Sequence, residues 1–547
     1  MEGVSEKQPK AEHRGIPITD EFRAFVASGW APADPALPAP ADVAPFAAAR
    51  REALSRAFPG ERLVIPAGGL KVRSNDTDYV FRPHSAFAHL TGLGADREPD
   101  AVLVLEPRES EGHEARLYLR PPSGRGSDEF FTDSRYGEFW VGPRPSLAAV
   151  SAELGIETID LDRFENEVAK DVGVVQIRVI PDADPAVLAI VEAARATVEQ
   201  VAEESAPQAI AHDVASQDRH QAQVQEQIQD QELASEQAEA ESEEETQEDS
   251  PDVQLARFAS VLRMRKDTWE VAQMRDACAA TARAFEEVVA AFPEAIARGR
   301  GERWIEGTFN RAARHAGNGV GYDSICAAAD HANTLHWIRN TGDVRDGDLV
   351  LIDAGVEVES LFTADITRTL PANGTFTPTQ RAVYEAVLAA QEAGIAAARP
   401  GSKFKDVHAA AIRVIAEHLY EWGLLPDGVD VEASLDKDGG QYHRRWMVHG
   451  TSHHLGIDVH DCALALREDY MEADLAAGMI LTVEPGLYFK ADDLLVPEEY
   501  RGIGVRIEDD ILVTEEGCEV LSPHLPRNPD EVEAWMASIW STGAAHH

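Results

Sequence analysis

Residues 347–370, GDLVLIDAGVEVESLFTADITRTL, constrain the fold of this chain more than any other stretch. The apolar run from Leu349 to Ile352 ends on Asp353, and Ala354-Gly355 follows. Such a run reads as a buried strand stopped by a turn residue. Twelve residues after Asp353, Asp365 opens a second β-prone run, Ile366-Thr367-Arg368-Thr369-Leu370. An acid at the end of a buried strand is costly without a partner. Two such acids on adjacent strands repel each other unless a cation lies between them. For this stretch alone, a hairpin with two solvated acids is the plain alternative.

A chain of 547 residues is too long for one core, so two or more domains are expected. The net charge of −46 argues against a nucleic-acid partner. Part of that acidity is local: residues 203–252 hold sixteen acids against one base, Arg219. No window approaches the run of roughly 18 apolar residues that a membrane span needs. The opening MEGVSEKQPKAEHRG has no apolar core of the kind a secretory signal carries. Cys278, Cys326, Cys462 and Cys518 lie far apart with no CxxC pair, which fits a reducing cytoplasm.

Composition divides the chain into four parts. Residues 1–40, polar and then Ala/Pro-rich, read as an arm. Residues 41–195 read as a mixed α/β domain, with AVLVLEP (101–107) and ARLYLRP (115–121) as hairpin partners. Residues 196–260 are expected as an acidic Gln/Glu-rich linker, with no apolar stripe to bury over 196–252. Residues 261–540 alternate helices with strands around a sheet. Within them Thr377-Pro378-Thr379-Gln380 reads as a capped helix start, and DLVLIDAG, MILTVEPGLYF and VRIEDDILVT read as strands.

The second domain also gathers histidines and acids. The segment 449–460, HGTSHHLGIDVH, holds four histidines in twelve residues, with glycines that let a ligand approach. Glu484 lies between apolar residues and a Pro-Gly turn. Alternation along GVRIEDDILV sets Arg506 and Glu508 on one face, where they read equally as an ion pair. Taken together, two Asp, two Glu and one His form an oxygen-rich donor set, which favours manganese over thiolate-bound zinc. Two metals about 3.5–4 Å apart would share carboxylates and acidify a water between them.

The ordered motifs DAG…DITRT, HGTSHHLGIDVHD, TVEPGLY and GVRIEDD resemble the pita-bread metallopeptidases, and among them Xaa-Pro aminopeptidase (aminopeptidase P). The resemblance implies an α+β (α/β) chain: a C-terminal pita-bread catalytic domain preceded by a smaller α/β domain of creatinase/prolidase type. It implies two divalent ions, manganese, held by Asp353, Asp365, His453, Glu484 and Glu508. Asp365 and Glu508 would bridge both ions, and a bridging hydroxide would attack the N-terminal Xaa-Pro peptide bond. Glu484 would also shuttle the proton. His336, His449 and His460 match the family's other active-site histidines, with His460 placed for the oxyanion and Arg506 supporting the site. The partner is then a peptide with proline second, and the assembly a homodimer or homotetramer.

Three features depart from the family. The Asp353–Asp365 spacing of twelve exceeds the usual eleven, so an extra turn residue or a bulge is expected. The linker is long. Ala88 stands where some members carry an aromatic that reaches a neighbouring subunit. The alternatives are a prolidase that cleaves only Xaa-Pro dipeptides, and a metal-free pita-bread scaffold or creatinase-like hydrolase. Methionine aminopeptidase is disfavoured because that enzyme does not need the domain at 41–195.

Overall fold

A computed structural model of the protein describes residues 18–31, 36–205 and 250–543. Part of the expected arm and most of the expected linker, 206–249, lie outside these residues. In the described part of the arm, Asp20–Ala27 form a helix capped by the Thr19 hydroxyl.

The N-terminal domain is built on a five-stranded sheet in the order Glu157–Asp160, His113–Leu119, Val102–Pro107, Arg62–Pro66, Ile177–Val179. The three central strands are antiparallel and each edge strand joins in parallel. The expected hairpin is present, with Val102 opposite Tyr118. Side chains alternate across the sheet, and both faces are covered. Leu63, Ile65, Leu103 and Leu105 pack on one side with Leu54 of helix Ala44–Ala57. Val64, Val102 and Val104 pack on the other with Val187 and Val191 of helix Pro185–Ser205.

The far end of the expected linker is not a spacer. Residues 251–260 belong to helix Pro251–Leu262, which starts at a Ser250 cap with proline in its first turn. Its Leu255, Ala256 and Ala259 are buried in the N-terminal core. Leu255, Ala256, Ala259 and Leu262 form a short apolar stripe at helical spacing, and burying it offsets the cost of ordering the segment.

In the catalytic domain, helices Thr268–Arg298 and Gly301–Ala316 pair, as do Pro378–Ala397 and Phe404–Glu421. The Thr377–Gln380 capping box forms as expected, and the chain breaks at Gly401, whose φ of 82° suits glycine. The helices flank small antiparallel sheets. One sets Leu349–Ala354 between Ile325–Ala328 and Ile366–Pro371.

The hairpin 349–371 answers the spacing question. Its register runs without a shift, with Leu349 opposite Pro371, Ala354 opposite Ile366 and Glu357 opposite Thr363. There is no bulge, and the turn absorbs the residue. Val358 N donates to Phe362 O at 2.9 Å, and Leu361 adopts φ 74° at the tip. Asp353 faces Thr367 across the ladder, and Asp365 lies two residues before Thr367. Both acids therefore emerge on one face.

Two expected strands are each broken in two. MILTVEPGLYF divides into Ile480–Val483 and Gly486–Phe489, and VRIEDDILVT into Ile503–Arg506 and Asp509–Val513. Ile480–Val483 pairs with Asp509–Val513 in one sheet, and Gly486–Phe489 with Ile503–Arg506 in another. Pro485 has no N–H to continue a ladder, so the strand changes partners there. Glu484 and Glu508 sit in the two breaks, where the backbone leaves one sheet for the next.

Candidate metal centre

All nine of the residues singled out in the sequence, from His336 to Glu508, line one cavity of about 520 Å³. They come from five places: the loop before strand Leu349–Ala354, the hairpin, the histidine segment and the two strand breaks. The N-terminal domain grips the histidine segment from outside. Ser85 Oγ donates to Asp458 at 2.6 Å, and Arg82 Nη2 donates to Ile457 O at 2.6 Å. Beneath it, the buried Lys266 and Arg263 pair with Asp461 at 3.2 and 2.8 Å.

Three donors converge most closely. Single ligand atoms of Asp365, His453 and Glu508 all lie within 4.8 Å of one another. His453 Nε2 is 3.3 Å from Asp365 and 3.6 Å from Glu484. Thr367 Oγ1 donates to Glu508 Oε2 at 2.7 Å. Asp353 lines the same cavity but is held by Arg506, whose Nη2 donates to it. Arg506 also reaches Tyr488 at 3.1 Å and Thr367 at 3.2 Å, so it braces the hairpin as well as its own strand. His449 is engaged at both nitrogens. Nδ1 donates to Gly450 O at 2.6 Å, and Nε2 accepts from Tyr488 at 2.7 Å. His336 and His460 have no hydrogen-bond partner among the described residues; His460 sets its ring edge-on to His453 at 4.5 Å.

Sequence reading missed Tyr322, Thr367 and Tyr488. The Tyr322 hydroxyl lies 2.8 Å from Asp353 and 2.5 Å from Asp365. One hydroxyl proton cannot serve both contacts fully at once, so Tyr322 divides its donor between the two acids and ties them together. No local pattern marks Tyr322, which meets the acids only through the fold. Thr367 was legible: it lies two residues after Asp365 in a strand and must share its face.

The electrostatics describe a site short of positive charge. Burial, then Asp365, Glu484 and Asp353, push the Glu508 carboxyl well above the usual carboxylate range. Burial lifts Glu484 to about 7 against the opposing pull of His453 and Arg506. Burial also raises Asp353, which Arg506 only partly offsets. Burial works against the charge on His453, but Asp365 and Glu484 outweigh it and raise the imidazole to about 9. Burial would raise Asp365 too, yet its hydrogen bond and charge contact with His453 bring it below the ordinary value. His449 falls to about 3 through burial and the nearby Arg506.

Four carboxylates against one guanidinium and one imidazolium still leave the site short of positive charge, and four oxygen donors with one imidazole suit hard divalent ions. The residues therefore fit divalent metal. Loading must displace the protons that now sit in the cluster. At pH 7, below the value of about 9 for His453, that imidazole is protonated, and Glu484, near 7, is partly so. Metal binding is expected to release roughly one to two protons per chain and to strengthen as pH rises toward 9. Calorimetric titration in buffers of differing ionisation enthalpy measures this; heats independent of buffer would contradict it.

Known proteins decide what the cavity belongs to. Residues 272–515 match metallopeptidase family M24, and residues 47–178 match the aminopeptidase P N-terminal domain. Xaa-Pro aminopeptidase 2 of Streptomyces coelicolor is 46% identical over 520 residues, covering 95% of this chain and 97% of that protein. The chain belongs to the Xaa-Pro aminopeptidases. The Escherichia coli Xaa-Pro aminopeptidase is 30% identical over 492 residues, covering 89% of this chain and 97% of its own. Among solved structures, the Pseudomonas aeruginosa aminopeptidase PepP superposes with TM-score 0.73 at 29% identity, covering 91% of this chain and 98% of that one. Zinc-substituted E. coli aminopeptidase P in complex with product gives TM-score 0.72 at 29% identity, covering 90% and 98%.

As a Xaa-Pro aminopeptidase the protein is a metal-dependent hydrolase of two parts, an aminopeptidase P N-terminal domain and an M24 pita-bread domain. Neither the prolidase nor the metal-free scaffold is favoured by these relatives. Ala88, noted above as a departure, is buried in helix Ser85–Thr91 against the catalytic-domain core. No described helix is long and apolar enough to cross a membrane.

Proposed function

We propose that the chain removes the N-terminal residue ahead of proline from peptides longer than a dipeptide, using Asp353, Asp365, His453, Glu484 and Glu508 to hold two manganese ions. The observation that carries this reading is the convergence of four carboxylates and His453 in one cavity whose own charges leave them unbalanced. When bound, such ions acidify a water and polarise the scissile carbonyl.

The chain's own residues account for the remaining chemistry. Glu484, which lines the cavity beside His453, accepts the proton of the attacking water and returns it to the departing proline nitrogen. His460 and His336 turn unpartnered imidazoles toward the cavity, one for the developing oxyanion and one for the substrate backbone. His449 is a fixed neutral imidazole at the accepting end of the chain Arg506–Tyr488–His449, which holds its Nδ1 3.7 Å from Glu484. Ile325, Leu335, Ile338 and Val459 form an apolar wall where a proline ring gains by leaving water. A tertiary amide has no N–H to be recognised, so ring shape must do that work.

The test is a manganese-supplemented assay on Xaa-Pro-Yaa peptides with Xaa-Ala-Yaa and Xaa-Pro controls. Cleavage confined to Xaa-Pro-Yaa supports the reading. Equal cleavage of Xaa-Ala-Yaa removes the proline assignment, and exclusive cleavage of Xaa-Pro dipeptides makes the chain a prolidase. Activity with zinc or cobalt but not manganese would reassign the metal.

The same reading includes a cytoplasmic homo-oligomer. Three of the four free thiols are buried and the fourth half-buried, in keeping with a reducing compartment. An aromatic cluster on the N-terminal domain supports association. Trp30, Phe130 and Phe139 meet edge to face, and Phe139 and Trp140 remain 67% and 60% exposed. Trp140→Asp is expected to lower the mass measured by light scattering to that of a smaller assembly. An unchanged mass would place the interface elsewhere.

A further inference from the structure

We propose that Glu302 is the positioning residue for His336, fixing the loop that presents this imidazole to substrate. The inference rests on the reading of His336 as a substrate-binding residue.

Glu302 is fully buried in the first turn of helix Gly301–Ala316, outside the cavity and on a different element from His336. Its carboxylate accepts four hydrogen bonds, all from the loop or the strand that leads into it. Oε1 receives Ala328 N at 2.9 Å and His331 Nδ1 at 2.7 Å. Oε2 receives Trp337 Nε1 at 2.9 Å and the backbone N of Gly342. An ionised carboxylate offers about four lone-pair sites, so this one is saturated. His331 and Trp337 stack at 4.0 Å, which closes the loop over the carboxylate.

The loop's remaining anchors flank His336 as well. Asn340, at φ 46°, accepts from Cys326 N at 2.9 Å and donates to Ser324 O at 2.9 Å. Asn333 donates to Phe489 O at 3.2 Å, and Lys490 donates to Asn333 O at 2.9 Å. His336 itself is exposed and has no partner among the described residues. Its place is set by the backbone alone, and the nearest anchor on that backbone is the neighbouring Trp337. Leu335 and Ile338, which also line the cavity, ride on the same short stretch. Glu302 is thus the group through which a helix on the outside of the domain aims the loop.

A carboxamide in place of the carboxylate keeps the volume but turns two acceptor sites into donors that face N–H groups. Glu302→Gln is expected to lower kcat/KM by about ten- to a hundredfold, chiefly through KM, with bound metal unchanged. Trp337→Phe keeps the ring and deletes one donor, so it serves as the milder variant if Glu302→Gln fails to fold. The deciding experiment is a double-mutant cycle with His336→Ala on a Xaa-Pro-Yaa substrate, with metal content and near-UV circular dichroism measured alongside. In the His336→Ala background, Glu302→Gln or Trp337→Phe should change kcat/KM less than about twofold. If the effects instead multiply, Glu302 acts generally on the fold and the proposal is overturned. If His336→Ala alone retains full activity, the reading of His336 fails, and the proposal falls with it.

Discussion

Asp365→Ala should abolish cleavage and metal retention together while leaving the fold in place. Asp365 is the one aspartate among the three closest donors, and it links the others. Its carboxylate contacts His453 and Tyr322, and its backbone N donates to Asp510 at 3.1 Å. The substitution keeps that backbone bond and removes only the carboxylate. Metal catalysis supplies several kcal/mol of barrier lowering, so kcat/KM should fall at least about a thousandfold. Elemental analysis should find fewer than about one divalent ion per chain, with added manganese failing to restore the second. The near-UV spectrum should match the parent. Full activity in this variant would sink the assignment of the whole centre. Lost activity with normal metal content would limit Asp365 to a role in the reaction rather than in binding.

Arg368→Met should be the most destabilising single change in the catalytic domain. Arg368 sits between Thr367 and Thr369, on the opposite face of its strand from Asp365 and Thr367. It is wholly buried and pairs with Asp509 at 2.7 Å. Its other N–H groups reach four backbone carbonyls: Pro526, Leu525, Thr367 and Glu508. Breaking a buried ion pair from one side typically costs about 3–5 kcal/mol, because the remaining charge and acceptors lose their partner. Urea titration of the metal-loaded protein measures this as a lower midpoint at constant slope. A loss below about 1 kcal/mol would show that Arg527, 3.5 Å from Asp509, takes over the pairing.

Much of the candidate centre was legible as a set, because its residues stand in ordered motifs that carry the family resemblance, although each acid alone reads as an ordinary solvated group. Asp353 and Asp365 interrupt apolar β-prone runs, and His453 lies in a dense histidine segment. The Thr377 cap was legible because its hydrogen bonds are local. The parts that were not legible depend on distant partners. Tyr322 and Glu302 stand in unremarkable sequence and acquire their roles only through the fold. The breaks at Glu484 and Glu508 escaped notice because each strand reads as continuous until its neighbours are known. Pro485 was the one available signal, since it cannot sit inside a central strand. Helix Pro251–Leu262 was hidden by its acidic surroundings, although Ser250-Pro251 is a legible helix start. The twelve-residue spacing posed a choice between turn and bulge, and the unbroken register from Leu349 to Glu357 settles it in favour of the turn.

The placement of Glu484 and Glu508 at strand breaks bears on how the chain is made. The bonds that close the centre join residues far apart in sequence: Asp365 to Asp510 across 145 positions, Thr367 to Glu508 across 141, and Asp353 to Arg506 across 153. During synthesis the hairpin and the helix pair after it emerge long before their partners exist. Through that interval, two acids destined for burial have neither their arginine nor their glutamates. The hairpin's acids stay open to water until the segments around Glu484 and Glu508 have emerged, so competence for catalysis waits on those two strand breaks.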